Sequence, residues 1–259
     1  MKDNFSQNSE NYLIYRPSYP EEVYNIICSC LETKQNVWDC GTGNGQVASR
    51  LAQDFETIYA TDISQNQIKN AIQKENIIYL VEQAEHSSFE ADFFDLIIVA
   101  QAIHWFDFEK FYQEVNRTLK KDGIFVILGY GKLEVDEEIN KIIDRLYFDI
   151  LGNYWDKERK YIDENYQTIP FPFEEISILD VQKTEKQELS HKPKWNVEQL
   201  IGYLNTWSAI KHYNKENALN EEKLNLIASI YQELREIWND NQPKTVNFPT
   251  LFRIGKLKK

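Results

Sequence analysis

The sequence predicts an α/β fold in which an open, mostly parallel β-sheet carries helices on both faces. The first observation is that strand-length apolar runs alternate with amphipathic stretches between residues 36 and 128. The second is a cluster of three glycines that directly follows the first of these runs. Repeated strand–helix–strand units of this kind predict parallel strands in one sheet, because each helix returns the chain across one face.

Five apolar runs account for the strands of the predicted core. Each run is short, rich in β-branched or aromatic residues, and bounded by turn-forming or charged residues. Such nearly continuous hydrophobicity is typical of parallel strands that are buried on both faces. The runs are Val37-Trp38, Ile58 to Ala60, Ile77 to Val81, Leu96 to Ala100 and Ile124 to Leu128.

Helical signals separate these runs. Ser64 and Gln67 form a candidate capping box before apolar residues at helical spacing. A later helix is predicted from Phe108, because apolar residues follow it at helical intervals as far as Leu119. The sequence Lys121-Asp122-Gly123 is predicted to end that helix.

After Gly131 the sequence becomes charged and rich in aromatic residues. This composition predicts inserted helices that form a cap, near residues 135–151, 156–165, 197–212 and 220–239. Two late strands are predicted to complete the sheet, one near residues 174–182 and a terminal one within 246–257. We therefore divide the chain into a core with an N-terminal lid segment (1–131), a helical cap containing the first late strand (132–240), and the terminal strand segment (241–259).

Composition and charge exclude several classes of protein. Of 259 residues, 42% are hydrophobic, which is enough to form a core and excludes a wholly disordered chain. The net charge is −12, from 41 acidic and 29 basic residues, so we expect no binding to nucleic acid backbones. No apolar run reaches the ~18 residues of a membrane span, so we expect no membrane partner.

The N-terminal segment and the cysteines predict a cytoplasmic location. The stretch from Met1 to Tyr15 is polar and lacks the apolar run of a secretion signal. Cys28, Cys30 and Cys40 are few and odd in number, which favours reduced thiols. Because no set of metal-ligating partners accompanies them, we expect no metal site.

The glycine cluster carries the clearest functional signal. In Asp39-Cys40-Gly41-Thr42-Gly43-Asn44-Gly45 the glycines allow a tight turn and the close approach of a ligand. A helix predicted to begin near Gln46 would offer free N–H groups to that ligand. Gln46 stands where a dinucleotide-binding loop has its third glycine, and the Asp39 carboxylate suits an ammonium group better than a pyrophosphate. An NAD-dependent dehydrogenase is therefore the least favoured enzyme.

Three further segments follow predicted strands, at the sheet edge where open α/β proteins bind ligands. Asp62 lies 21 residues beyond Gly41 and could accept hydrogen bonds from ribose hydroxyls, or could instead cap a helix. Gln83 and Ala84 could bind the edge of an adenine, or could belong to a solvated loop. The segment from Ala100 to Asp107 follows the fourth strand.

This ordered set of motifs resembles the class I S-adenosylmethionine-dependent methyltransferases. More narrowly, the chain resembles the trans-aconitate methyltransferase group of the type 11 methyltransferases, through Arg16-Pro17-Ser18-Tyr19-Pro20 and His104 to Phe111. The same likeness extends to Tyr154-Trp155 and Thr206 to Ala209. The resemblance implies a Rossmann-like sheet of seven strands whose last strand is antiparallel.

The resemblance also implies which residues bind S-adenosylmethionine. Asp39 and Gly41 would lie near its methionine moiety, Asp62 at the ribose, and Ile63 with Gln83 and Ala84 around the adenine. The family often has a carboxylate where Gln83 stands, although an amide oxygen can also accept from the adenine amino group. The segment from Tyr12 to Tyr19 would fold over the cofactor. The full set of expected cofactor residues is Arg16, Asp39, Gly41, Thr42, Gly43, Asp62, Ile63, Gln83, Ala84 and Gln101.

The acceptor is expected to be a small molecule, and a trans-aconitate-like acid methylated on a carboxyl group is the leading hypothesis. A carboxylate is ionised at neutral pH and needs no base. A hydroxyl or amine acceptor is the alternative, and His104 would then be the base, unless it only holds a loop by hydrogen bonds. Arg16 and Arg159 could bind carboxylates, or form salt bridges at the surface. The residues expected around the acceptor are Tyr12, Tyr19, His104, Trp105, Tyr130, Trp155 and Trp207. A cofactor-binding protein without catalysis is a third reading.

Overall fold

A computed structural model describes residues 15–178, 189–238 and 242–257 of the chain. Tyr12, one of the expected acceptor residues, lies outside the described residues. The described residues form ten strands: β1 Asn36–Cys40, β2 Thr57–Asp62, β3 Ile77–Val81, β4 Phe94–Ala100, β5 Leu119–Tyr130, β6 Glu174–Glu175, β7 Ser190–His191, β8 Lys194–Trp195, β9 Lys244–Thr245 and β10 Phe248–Lys256.

The central sheet has the order β3-β2-β1-β4-β5-β10-β6, and β7 pairs with β10 beside this path. Strands β1 to β5 are parallel, whereas β10 runs antiparallel to β5. The predicted Rossmann-like α/β fold and the antiparallel terminal strand are confirmed. The described sheet has eight strands rather than seven, because the short β7 pairs with the first residues of β10.

The central strands β1 and β4 are more deeply buried than the edge strand β3. Val37 of β1 pairs with Ile58 on one side and with Leu96 on the other, and all three side chains are fully buried. Helices cover both faces of these strands, so residues on either side of the pleat must be apolar. This burial accounts for the apolar runs of the central strands, whereas β3 lies at the edge of the sheet, and its Ile78 and Val81 are exposed.

The sequence Lys121-Asp122-Gly123 does not end a helix, and that prediction was wrong. The helix ends at Thr118, and β5 begins at Leu119. The pairing of β5 with β4 shifts register between Leu119 and Ile124, so these residues form an irregularity within the strand. Asp122 takes a φ of 63° there, a conformation that Asp tolerates better than most residues.

Several helices begin directly after a residue whose side chain caps the first turn. Ser64 Oγ accepts a hydrogen bond from the Gln67 backbone N–H at 3.3 Å, and Asp107 accepts one from Lys110 N at 3.3 Å. Such caps satisfy N–H groups that have no partner within the helix. The helices are α1 Glu21–Ser29, α2 Gln46–Leu51, α3 Gln65–Lys69, α4 Phe108–Thr118, α5 Glu137–Asp144, α6 Lys160–Asp163, α7 Val197–Leu204, α8 Ser208–Glu216, α9 Glu221–Leu224 and α10 Leu226–Ile237.

The predicted cap helices form, but they are shorter and more broken than expected. Helix α5 passes into a π-helical segment, Arg145–Ile150, and single 3₁₀ turns follow it at Gly152–Tyr154 and Lys157–Arg159. The stretch predicted as one helix over 197–212 is interrupted before Trp207, whose backbone is extended. These elements share a separate apolar core that includes Leu146, Leu200 and Leu234.

The late strand predicted over 174–182 is shorter in the structure. It is formed by Glu174–Glu175, and one further backbone bond joins Ile176 N to Ile254 O at 2.9 Å. Residues 179–182 lie outside the described residues, so the rest of that prediction is untested. Across the described ranges, every helix is too short or too polar to cross a bilayer.

Candidate active site

The glycine loop joins β1 to α2, and each of its three glycines has a left-handed backbone. The φ angles are 72° at Gly41, 55° at Gly43 and 80° at Gly45. A Cβ at Gly41 would lie 2.6 Å from Ala102 Cβ, and one at Gly45 would lie 2.1 Å from the Tyr79 hydroxyl. At Gly43 no atom lies within 4 Å of the position of a Cβ. Two glycines therefore permit close packing, whereas Gly43 leaves space open for a ligand.

Asp39 anchors this loop and retains one oxygen without a partner. Its fully buried Oδ2 accepts hydrogen bonds from Thr42 Oγ1 at 2.6 Å and from Ala48 N at 3.0 Å. Its Oδ1 is also buried and has no hydrogen-bond partner among the described residues. Burial, together with the nearby Asp62 carboxylate, raises the pKa of Asp39 to about 7. A buried carboxylate in this state favours a cationic partner.

Asp62 ties the glycine loop to the end of β2. Its Oδ2 accepts a hydrogen bond from Gly43 N at 2.9 Å, and its Oδ1 accepts one from Ser64 N at 2.8 Å. Ser64, not Asp62, is the N-cap residue of α3. The capping alternative for Asp62 is therefore wrong, and its carboxylate instead lies at the sheet edge.

A first cavity of about 890 Å³, partly open to solvent, lies over this edge. Eight of the ten residues expected to bind the cofactor line it: Arg16, Asp39, Gly41, Thr42, Gly43, Asp62, Ile63 and Gln101. Gln83 and Ala84 are not among its lining residues. Gln83 is exposed, and Ala84 is buried in the core beneath α4. Asn44 and Gln67 also line the cavity, and the position of Asn44 within the glycine cluster was a signal that we did not use.

A second cavity of about 480 Å³ lies between the sheet edge and the cap. Arg16, Gln101 and Trp105 line both cavities, so the two adjoin. Of the expected acceptor residues, His104, Trp105, Trp155 and Trp207 line the second cavity, whereas Tyr19 and Tyr130 line the first. The sequence analysis missed three lining residues of the second cavity, namely Asp156, Ile162 and Ser208.

Arg16 connects the core to the cap. Its Nη1 donates a hydrogen bond to Tyr130 Oη at 2.7 Å, and its Nη2 donates to the Thr206 carbonyl at 3.2 Å. Tyr130 ends β5, whereas Thr206 lies between two cap helices. The guanidinium therefore holds the shared boundary of the two cavities in place.

His104 belongs to a hydrogen-bonded group that links the sheet edge to Tyr166. Gln101 Nε2 donates to the Tyr130 carbonyl at 3.0 Å, and Tyr166 Oη donates to Gln101 Oε1 at 3.2 Å. His104 Nδ1 lies 3.4 Å from Tyr166 Oη, which can accept from it, because the tyrosine proton is directed to Gln101. Burial, with the nearby positive charge of Arg159, lowers the pKa of His104 to about 3. A histidine with so low a pKa is a weak base, which favours the role of holding the loop.

This low pKa predicts acid sensitivity. In the unfolded chain a histidine titrates near its ordinary pKa of ~6.5, so the unfolded state binds the extra proton between pH 6.5 and 3. We expect the contribution of His104 to the free energy of unfolding to be complete above pH 6.5 and to fall by about 2 kcal/mol from pH 7 to pH 5. Urea unfolding of the wild type and of His104→Asn at both pH values measures this. An equal pH dependence in the two proteins would contradict it.

Arg159 is held at the second cavity by two aromatic residues of the cap. Its Nε donates a hydrogen bond to Tyr147 Oη at 2.7 Å, and its guanidinium carbon lies 4.7 Å from the centre of the Trp155 ring. Trp155 Nε1 in turn donates to the Tyr147 carbonyl at 3.0 Å. Tyr147 belongs to the π-helical segment, a kind of irregularity that often lies at functional sites. The two terminal nitrogens of Arg159 have no hydrogen-bond partner among the described residues.

Comparisons with known proteins agree with this geometry. The model of the methyltransferase domain family matches residues 38–127. A candidate methyltransferase of Dictyostelium discoideum is 33% identical over 98% of this chain and 95% of its own length. A candidate S-adenosylmethionine-dependent methyltransferase of Saccharomyces cerevisiae is 22% identical over 97% of this chain and 96% of its own length. A solved structure of a candidate type II methyltransferase from Anaeromyxobacter dehalogenans is 31% identical, with a TM-score of 0.81 over 95% of this chain and 100% of that chain.

Proposed function

Because this chain belongs to the S-adenosylmethionine-dependent methyltransferases, we propose that it methylates a small carboxylic acid bound in the second cavity. The enzyme class and the cofactor follow from the family. The proposal concerns the acceptor, and within the family it favours the trans-aconitate-like acids. The observation that carries it is that the two terminal nitrogens of Arg159, beside the cofactor cavity, have no hydrogen-bond partner among the described residues.

The residues of the first cavity fit the cofactor. Asp39 Oδ1, buried and without a partner among the described residues, offers an acceptor to a cationic amino group. Each Asp62 oxygen accepts a backbone N–H, and the carboxylate lines the first cavity, where ribose hydroxyls could also donate to it. The space at Gly43 would be filled by any larger side chain, so a ligand can approach the backbone there.

The second cavity suits a carboxylate. The planar fork of Arg159 matches two carboxylate oxygens, because its two terminal nitrogens are not engaged by any described residue. Trp207 Nε1 is buried in the same cavity wall and also lacks a partner in the described part of the chain. A buried donor without a partner, such as Trp207 Nε1, is costly, and an acidic ligand would accept from it as well as from Arg159.

Methyl transfer to a carboxylate requires the protein to position the two reactants but not to remove a proton. S-adenosylmethionine supplies an activated methyl group, whose bond electrons stay on sulfur when the methyl group leaves. A carboxylate acceptor is ionised at neutral pH, so no residue has to remove a proton. Arg16, Gln101 and Trp105 lie at the boundary of the cavities, where they can orient the acceptor and exclude water. The weak basicity of His104 agrees with a reaction that needs no base, whereas a hydroxyl or amine acceptor would need one.

The direct test uses methyl-labelled S-adenosylmethionine and a panel of organic acids that includes trans-aconitate. We expect label in a product that loses it in mild alkali, because a methyl ester is hydrolysed whereas an ether or methylamine is not. Alkali-stable product would overturn carboxyl methylation in favour of hydroxyl or amine acceptors. Cofactor binding with no transfer to acids, alcohols or amines would favour a protein that binds the cofactor without catalysis.

A substitution of Arg159 tests directly whether its guanidinium binds the carboxylate of the acceptor. We expect Arg159→Lys, which keeps the charge but loses the fork, to raise the KM for the acid by roughly 10- to 100-fold, the equivalent of one charged hydrogen bond. The affinity for S-adenosylhomocysteine should stay unchanged, because Arg159 does not line the first cavity. Arg145→Lys is the matched control, since Arg145 pairs with the partly exposed Glu233 on the cap. An unchanged KM in Arg159→Lys would remove Arg159 from the acceptor site.

We also propose a cytoplasmic location. Cys28 and Cys30 are partly buried free thiols, and Cys40 is a fully buried one. Free thiols persist in the reducing conditions of the cytosol. Fractionation of cells with an antibody against the chain would test this, and enrichment in an oxidising compartment would contradict it.

A further inference from the structure

We propose that the acceptor carries, beside its carboxylate, a hydrogen-bond donor, either a hydroxyl or an ammonium group, that binds to Asp156. This inference rests on the proposed function, because it takes a carboxylic acid to be the ligand of the second cavity. It narrows the proposed function to hydroxy acids or amino acids, so trans-aconitate itself, which has neither a hydroxyl nor an ammonium group, should bind less tightly than an acid that carries one.

The Asp156 carboxylate is buried without the partners that a buried carboxylate normally has. Its side chain is only 10% exposed and lines the second cavity. Its Oδ2 is inaccessible to solvent and has no hydrogen-bond partner among the described residues. Burying an unsatisfied charged group costs several kcal/mol, so such groups are rare outside ligand sites. A donor from a ligand would supply the missing bond.

The helical turn that follows Asp156 makes no capping hydrogen bond to its carboxylate. Asp156 occupies the N-cap position of the 3₁₀ turn Lys157–Arg159, with φ −63° and ψ 143°, yet its side chain makes no capping hydrogen bond. Aspartate at such a position ordinarily caps the turn. His212 Nδ1 lies 3.9 Å from Asp156 Oδ2, too far for a hydrogen bond, and this nitrogen already donates to the Tyr154 carbonyl at 2.9 Å.

Asp156 and Arg159 present opposite charges to one cavity without pairing with each other. They stand at the two ends of the same short turn, joined by a backbone bond from Arg159 N to the Asp156 carbonyl at 2.9 Å. The carboxylate that lies near Arg159 Nε is that of Asp163, at 3.6 Å. A ligand that carries a carboxylate and a nearby hydrogen-bond donor would give Arg159 and Asp156 each a partner at the same time.

The test compares three acids of the same length: glutarate, 2-hydroxyglutarate and glutamate. Their binding to the protein alone can be followed by tryptophan fluorescence, because Trp105, Trp155 and Trp207 line the second cavity. We expect 2-hydroxyglutarate or glutamate to bind at least tenfold more tightly than glutarate, and the preferred acid shows whether the donor is a hydroxyl or an ammonium. Asp156→Ala should reduce this ratio to about one.

A second variant and a control keep the result interpretable. Asp156→Asn retains a neutral acceptor oxygen, so it should preserve a preference for the hydroxyl and abolish one for the ammonium. Asp149→Ala, on the exposed face of the cap, should leave the ratio as in the wild type. Equal binding of the three acids to the wild type, or a preference that survives in Asp156→Ala, would overturn this inference alone. Failure of all three acids to bind would overturn the carboxylate acceptor as well.

Discussion

Asp62→Asn is expected to weaken the binding of S-adenosylhomocysteine by roughly 10- to 100-fold, the range that corresponds to one hydrogen bond to a charged group. Both oxygens of Asp62 accept backbone N–H groups, one from the glycine loop and one from the start of α3. An asparagine presents an NH₂ group to one of these N–H donors, so one bond must break and the loop must shift. The variant also loses the charge that would receive the ribose hydroxyls.

Isothermal titration calorimetry with S-adenosylhomocysteine measures this effect without any acceptor. Asp122→Asn is the matched control, since Asp122 lies near the start of β5, at the sheet edge remote from the first cavity, and its exposed side chain pairs with Lys256. Its positive φ is also tolerated by asparagine. An unchanged affinity in Asp62→Asn would contradict the assignment of the first cavity to the cofactor.

Gly41→Ala is expected to destabilise the fold, whereas Gly43→Ala should mainly weaken cofactor binding. At Gly41 an alanine would combine a φ of 72° with a Cβ only 2.6 Å from Ala102 Cβ. Left-handed strain and overpacking together should lower the free energy of unfolding by about 3 kcal/mol. At Gly43 the Cβ meets no atom within 4 Å, so only the strain of ~1 kcal/mol remains, and the methyl group enters the first cavity.

Urea unfolding and calorimetry on the two variants separate these effects. Gly152→Ala serves as the control, because Gly152 has no positive φ and its Cβ position is also open. We expect the midpoint of Gly41→Ala to fall well below those of the other two variants, and the cofactor affinity of Gly43→Ala to fall at least tenfold. A Gly41→Ala protein as stable as Gly152→Ala would show that the loop can move away from Ala102.

The acceptor site could be predicted only in part, because its residues come from separated segments. Trp155 and Trp207 were expected there because their segments resemble those of a known group, and both line the second cavity. Asp156 stands next to Trp155 in the sequence but gave no signal, since an aspartate before a helical turn ordinarily caps it. Gln83 is the opposite case. Its position after β3 predicts a contact with the adenine. The side chain is exposed and does not line the first cavity, so this contact stays a prediction.

The local sequence patterns by themselves determined the strands of the sheet and the glycine loop, whereas the class of cofactor was implied by the resemblance to a known family. Local patterns are sufficient for these features, because buried parallel strands need continuous apolar runs and a backbone with positive φ needs glycine. The tertiary structure alone decided that the terminal nitrogens of Arg159 and the buried Oδ2 of Asp156 lack hydrogen-bond partners among the described residues, and that the pKa of His104 is low. Each of these properties depends on burial by residues distant in the chain, and burial determines which polar groups remain for a ligand.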